Sequence, residues 1–142
     1  MVKAYTDGAC RISNPGLCSC AWVVVEGESV LCEGAFFLGP ELHTNNYAEY
    51  QGLIKLLEYI NGMGVKNVDI ASDSALIVNQ VNGKWSTEKK PELAKLCSYA
   101  TALKVIGGHT LRHIRGHGQN EDGVDNLMNN LADEMCNKIL DE

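Results

Sequence analysis

Three carboxylates stand where the local pattern of the chain changes. Asp7 precedes Gly8 at the end of a short apolar run, Glu49 lies in the first turn of a regular amphipathic segment, and Asp73 follows the alternating stretch 65–72. A fourth acid, Asp133, falls about two turns into the last helical segment. Brought together by a fold, four acids would repel one another unless a cation sat among them, and all-oxygen donors suit Mg2+ or Mn2+. Two such ions about 3.5–4 Å apart form a clamp for in-line phosphodiester displacement, one activating water and the other stabilising the leaving 3′ oxygen. Each acid also has an ordinary use: Asp7 in a turn, Glu49 against a helix dipole, Asp73 as an N-cap, Asp133 as a solvated helix residue.

The elements that must position these acids follow from periodicity. Residues 2–6, 20–25 and 29–38 read as strands, separated by the turn signals Asn14-Pro15-Gly16 and Glu26-Gly27-Glu28. Tyr50, Leu53, Ile54, Leu57 and Ile60 recur at helical spacing within 46–63, with Thr44 or Asn45 available as N-cap. A strand over 65–72, a short helix over 74–81, a helix over 91–106 opened by Pro91, and a strand over 109–115 follow. The last helix is expected over 125–140, capped by Asp125, with Leu127, Leu131, Met135 and Ile139 as its apolar face. The order βββ-α-β-α-α-β-α predicts one α/β domain spanning 1–142. Its mixed sheet has five strands, an antiparallel meander then parallel strands, flanked by helices. In such sheets ligands gather outside the carboxyl ends of strands, so Asp7 and Asp73 converge if their strands are neighbours.

Composition narrows the class. With 142 residues, 45% of them hydrophobic, the chain can bury a core, and no apolar run approaches the roughly 20 residues needed to span a bilayer. The N-terminus has no signal-peptide pattern, so a cytoplasmic protein is expected. That expectation makes a disulfide framework improbable, and the six cysteines, with no CxxC pair, read as small buried hydrophobes rather than zinc ligands. The net charge of −6 argues against nucleic acid only in sum. Lys84, Lys89, Lys90, Lys95, Lys104, Arg112 and Arg115 face only Glu88 and Glu92 within 84–117, a basic segment that could meet phosphates.

Tyr5-Thr6-Asp7-Gly8-Ala9-Cys10 with Asn14-Pro15-Gly16, then Thr44-Asn45-Asn46-Tyr47-Ala48-Glu49-Tyr50, then Ser72-Asp73-Ser74, resembles the type 1 ribonuclease H family. Arg115-Gly116-His117-Gly118 and Asn129-Asn130-Leu131-Ala132-Asp133 resemble its closing motifs, in the family's order and across nearly the whole chain. The resemblance implies a ribonuclease H-like fold and cleavage of the RNA strand of RNA–DNA hybrids, leaving 5′-phosphate and 3′-hydroxyl ends. It implies two Mg2+ or Mn2+ ions held by Asp7, Glu49, Asp73 and Asp133, and a mobile-loop histidine, His117, that assists proton transfer or product release. Asn14, Asn45 and Asn46 correspond to its substrate contacts and Thr44 to a phosphate contact. Asn offers a donor and an acceptor to base edges or 2′-hydroxyls in a shallow minor groove. Trp85 beside Lys84, Lys89 and Lys90 could form a backbone platform, or simply cover core. The chain looks like the short form, a monomer without basic protrusion or separate hybrid-binding domain. The stretch from His117 to Asp133 is longer than the family's usual spacing. It brings Glu121, Asp122 and Asp125 into the expected loop, which makes Asp125 a competitor of Asp133 as fourth ligand. A non-catalytic nucleic-acid-binding module and a DNA-acting nuclease on the same fold are the alternative readings.

Overall fold

The computed structural model describes residues 1–141. Three antiparallel strands open the chain, β1 (Val2–Arg11), β2 (Leu17–Glu26) and β3 (Ser29–Phe37). Then come α1 (Asn45–Gly62), β4 (Asp69–Ser72), α2 (Ala75–Val81), a 3-10 turn over Pro91–Leu93 leading into α3 (Ala94–Gly107), β5 (Thr110–His113) and α4 (Gly123–Asp141). The strands form one mixed sheet in the order β3-β2-β1-β4-β5, in which β1 pairs antiparallel with β2 and parallel with β4, and β4 parallel with β5. The expected α/β architecture is the one observed. Among the described residues no helix is long and apolar enough to cross a membrane.

Strand alternation sorts the core into two faces. Ala4, Trp22, Val24, Ile70 and Leu111 meet Tyr50, Leu53, Leu57 and Ile60 of α1 and Ile77 of α2 on one side. On the other side Tyr5, Val23, Val25 and Ala71 meet Met128 and Ala132 of α4. The run Val23-Val24-Val25 is apolar without alternation because β2 is covered on both faces. Leu53, Leu56, Leu57 and Ile60 are fully buried, and each such side chain stabilises the fold by about 1.5–3 kcal/mol. These contacts make α1 a rigid carrier for Glu49.

The structure departs from the sequence reading in several places. β1 runs on to Arg11, because β2 continues to pair with it as far as Leu17; Asp7 is therefore inside a strand. β4 starts only at Asp69, after left-handed turns at Gly64 and Asn67. On α4 the buried positions are Asp125, Met128, Asn129, Ala132 and Cys136, whereas Leu127 is 54% exposed. The apolar pattern misplaced that stripe by one position, since two polar residues sit on the buried face with partners of their own. Finally, Cys10 and Cys18 form a disulfide. They stand opposite each other in the β1–β2 register with Cα atoms 4.1 Å apart, so pairing needs no larger framework. Cys20 and Cys136 are buried free thiols, as expected for small hydrophobes.

Candidate active site

The parallel pairing of β1 with β4 ends at Thr6 opposite Ser72. The next residue on each strand is an acid, so Asp7 and Asp73 emerge side by side at one end of the sheet. Glu49 reaches them because α1 crosses β1 at a contact only glycine permits. A Cβ on Gly8 would lie 2.5 Å from the Glu49 backbone nitrogen, and one on Gly52 would lie 2.8 Å from the Asp7 carbonyl oxygen. One carboxylate oxygen from each of Asp7, Glu49 and Asp73 lies within 4.8 Å of the other two. Asp133 on α4 faces Asp7 from the other side of the sheet, and its charge acts on Asp7.

This crowding has an electrostatic signature. Burial, then the charges of Asp73 and Asp133, pushes the Asp7 carboxyl up to about 8, against a backbone hydrogen bond from Gly8 that favours the charged form. Burial, then Asp7 and Asp73, holds Glu49 well above the usual carboxylate range. Glu49 Oε1 is buried with no hydrogen-bond partner. An orphaned oxygen beside two further carboxylates fits a divalent cation, which would relieve both desolvation and mutual repulsion. Oxygen-only donors select a hard ion such as Mg2+ or Mn2+ over zinc. Held this way, an ion could polarise a phosphoryl oxygen or activate water.

The ordinary uses of these acids are taken by neighbours. Ser74, not Asp73, caps α2, accepting from the Ile77 amide at 3.3 Å. Thr44 caps α1, its Oγ1 accepting from the Tyr47 amide at 3.1 Å, so neither Asn45 nor Asn46 is needed there, and Glu49 lies beyond the first turn. Asp122 stands before α4 and accepts from the Val124 amide at 2.8 Å. Asp125, expected in a loop or as that cap, is instead on the buried face of α4. It accepts from both guanidinium nitrogens of Arg112 at 2.8 Å and from the Tyr5 hydroxyl at 2.5 Å. Arg112 also reaches Asp69 through Nε at 3.0 Å. These partners use up both oxygens of Asp125, and they take Arg112 out of the basic set that could meet phosphates. Helix α4 begins at Gly123, so most of the residues between His117 and Asp133 are helical rather than loop.

The hairpin carrying Asn14 and the start of α1 are joined directly. Asn14 Oδ1 accepts from the Asn45 amide at 2.9 Å, and Gly16 and His43 exchange two backbone hydrogen bonds of 2.9 Å. His43 stacks on Tyr47 with ring centroids 4.1 Å apart. Asn14, Thr44 and Asn45 are exposed and Asn46 is half-buried, so together they present amides and a hydroxyl on one rim. His117 is exposed, in a left-handed turn between Gly116 and Gly118. That loop lies against the acids, since a Cβ on Gly116 would sit 3.2 Å from Asp73 Oδ2. Trp85 stands in the loop after α2, 50% exposed, outside both core clusters.

Sequence reasoning missed Asn120 and Asn129. Asn120 closes the His117 loop, accepting from the Arg115 amide at 2.8 Å and donating to the Arg115 carbonyl at 2.6 Å. Asn129 donates to Asp73 Oδ2 at 3.4 Å. For Asn129 the signal was its place at the head of the motif Asn129-Asn130-Leu131-Ala132-Asp133, which assigned it no role.

A family model described as reverse transcriptase-like matches residues 5–104, which include Asp7, Glu49 and Asp73. The chain is 32% identical over 142 residues to a ribonuclease HI of Halobacterium salinarum, covering 99% of this chain and 65% of that protein. It is 34% identical to a bifunctional protein of Mycobacterium tuberculosis, of which it spans 35%. It thus spans less than two thirds of the length of these curated relatives. The crystal structure of RNase H1 from Halobacterium salinarum superposes with a TM-score of 0.82 at 32% identity, covering 99% of this chain and 97% of that one. LC11-RNase H1 in complex with an RNA/DNA hybrid gives 0.79 at 28% identity, covering 97% and 95%.

Proposed function

The chain belongs to the type 1 ribonuclease H family, and from that premise we propose that it is a metal-dependent endoribonuclease acting on the RNA strand of RNA–DNA hybrids. The observation that carries this reading is the convergence of Asp7, Glu49 and Asp73, with an unpartnered buried oxygen among them. A non-catalytic binder gains nothing from acids facing phosphate. In this reading Asp133 is the fourth ligand, and two Mg2+ or Mn2+ ions would activate the attacking water and stabilise the leaving 3′ oxygen, giving 5′-phosphate and 3′-hydroxyl ends.

The chain's own residues do the remainder. Asn14, Asn45 and Asn46 meet the minor groove of the hybrid, where the 2′-hydroxyl separates RNA from DNA, and the Thr44 hydroxyl, an acceptor toward Tyr47, keeps its proton for a phosphate. His117, in its Gly-flanked loop beside Asp73, moves a proton or helps release product. Trp85 with Lys84, Lys89 and Lys90 supports the backbone of the substrate. The enzyme acts as a monomer.

The test is incubation with labelled RNA–DNA hybrid, RNA duplex and DNA duplex, each with Mg2+, Mn2+ or EDTA. The proposal requires cleavage of the hybrid alone, abolished by EDTA. Binding without cleavage would point to a non-catalytic module, and DNA cleavage to a different nuclease on this fold.

A further inference from the structure

Helix α4 carries a second site-facing residue, one turn before Asp133. Positions i and i+4 of a helix share a face, so Asn129 and Asp133 approach the carboxylates together. Asn129 is 2% exposed. Its Nδ2 lies 3.4 Å from Asp73 Oδ2, the same oxygen that Gly116 packs against. Turning the amide over would set two oxygens against each other, so the donor faces Asp73. The other half of the amide is unusual: Asn129 Oδ1 is buried and has no partner. Buried amides are normally satisfied at both ends, and an apolar side chain would fill this position at lower cost. The polar neighbour on the same buried face, Asp125, has Arg112 and Tyr5. Among the described residues, Asn129 has only Asp73.

We propose that Asn129 is a positioning residue for cation binding: its amide N–H holds Asp73 Oδ2, and its free Oδ1 accepts a hydrogen bond from water that enters with the cation. This rests on the reading of Asp7, Glu49, Asp73 and Asp133 as cation ligands. Mg2+ held by few carboxylates keeps several waters, so an unpaired acceptor beside the cluster is a seat for one of them. Fixing one oxygen of Asp73 also settles its side-chain orientation before any ion arrives, as partners behind the ligands of metal sites commonly do. Asn129 acts through Asp73 and does not itself touch the reacting phosphate.

The experiment is calorimetric titration of Mn2+ into the full chain without substrate, for wild type and Asn129→Leu, with melting temperatures in EDTA and in saturating Mn2+. Leucine keeps the branching of the side chain, with bulkier methyl groups, and removes both the donor to Asp73 and the unpaired acceptor. The expected result is a Mn2+ dissociation constant raised at least about tenfold, with the EDTA melting temperature unchanged or higher. A dissociation constant within twofold of wild type would overturn the proposal. Asn129→Asp, equal in shape but lacking the donor, is the second arm and decides the matter if the leucine variant does not fold. It should melt below wild type in EDTA and gain more from Mn2+ than wild type gains. An equal deficit in both conditions would mean that Asn129 only packs. Absence of Mn2+ binding by wild type itself would sink the metal reading along with the inference, whereas equal binding by wild type and variant sinks the inference alone.

Discussion

Asp125 gives both carboxylate oxygens to Arg112, each 2.8 Å from a guanidinium nitrogen, while Asp133, two turns further along α4, faces Asp7. One helix thus carries a structural acid and the acid proposed as fourth ligand, and substitution should separate them. Removing one partner of a buried pair costs about 3–5 kcal/mol; with Arg112 retaining Asp69, the cost of Asp125→Ala should be about 2–3 kcal/mol. For a chain of this size that lowers Tm by roughly 5–10 °C, while the folded fraction still cleaves. Asp133→Ala should melt like wild type and lose cleavage. Thermal melts and hybrid-cleavage rates on both variants check this, and the reverse pattern would make Asp125 the fourth ligand.

The pH dependence of stability should show two opposing contributions. Arg112 and the Tyr5 hydroxyl hold Asp125 below the usual carboxylate range, so its contribution is present above the unfolded value of about 3.9 and fades as pH falls below it. Asp7 is pushed up to about 8, so at intermediate pH the native state holds a proton that the unfolded chain has released. Stability from this source is therefore lost as pH rises from about 4 to about 8. Melts in EDTA across this range should decline with pH for wild type and stay flatter for Asp7→Asn. Equal slopes would contradict the assignment.

The crossing of α1 over β1 should tolerate no side chain at Gly8. The obstructing atoms are backbone atoms of Ala48 and Glu49, which cannot swing aside. Gly8→Ala must push the helix outward and separate Glu49 from Asp7. The expected outcome is a fall in Tm together with a loss of cleavage of at least about tenfold. Full activity in this variant would mean that the spacing of Glu49 is not critical.

These two sites also mark how far the sequence alone could be read. Asp7 and Asp73 were visible as acids beside strands, and Glu49 through the period of α1, because alternation and helical spacing are local signals. The link between Asn14 and Asn45 was legible only as two motifs with related roles. What stayed hidden depends on neighbours distant in the chain. Asp125 looks like a cap or a loop ligand until Tyr5 and Arg112, from β1 and β5, surround it. The buried face of α4 was misplaced because Asp125 and Asn129 occupy apolar positions through partners that no periodicity reveals. The Cys10–Cys18 pair follows from strand register, which the turn residues alone did not fix.

The basic loop after α2 predicts a binding effect rather than a chemical one. Replacing Lys89 and Lys90 by Ala should raise KM for hybrid and leave kcat within about twofold. The salt dependence of binding should flatten by roughly one unit of slope for each lysine–phosphate pair removed. Trp85→Ala should weaken hybrid binding by about 1–2 kcal/mol if bases or sugars rest on the ring. Steady-state kinetics at two salt concentrations decide it; a change confined to kcat would place these residues elsewhere in the cycle.

The most direct measurement is the rate of hybrid cleavage by Asp7→Asn against wild type in Mg2+, with the fold of each checked by melting in EDTA. Asn keeps the shape of Asp7 and removes the charge that Asp73 and Asp133 repel. The account predicts a rate lower by roughly a thousandfold or more, about 4 kcal/mol of barrier, in a protein at least as stable as wild type without metal. Cleavage within tenfold of wild type by a folded Asp7→Asn protein would contradict it.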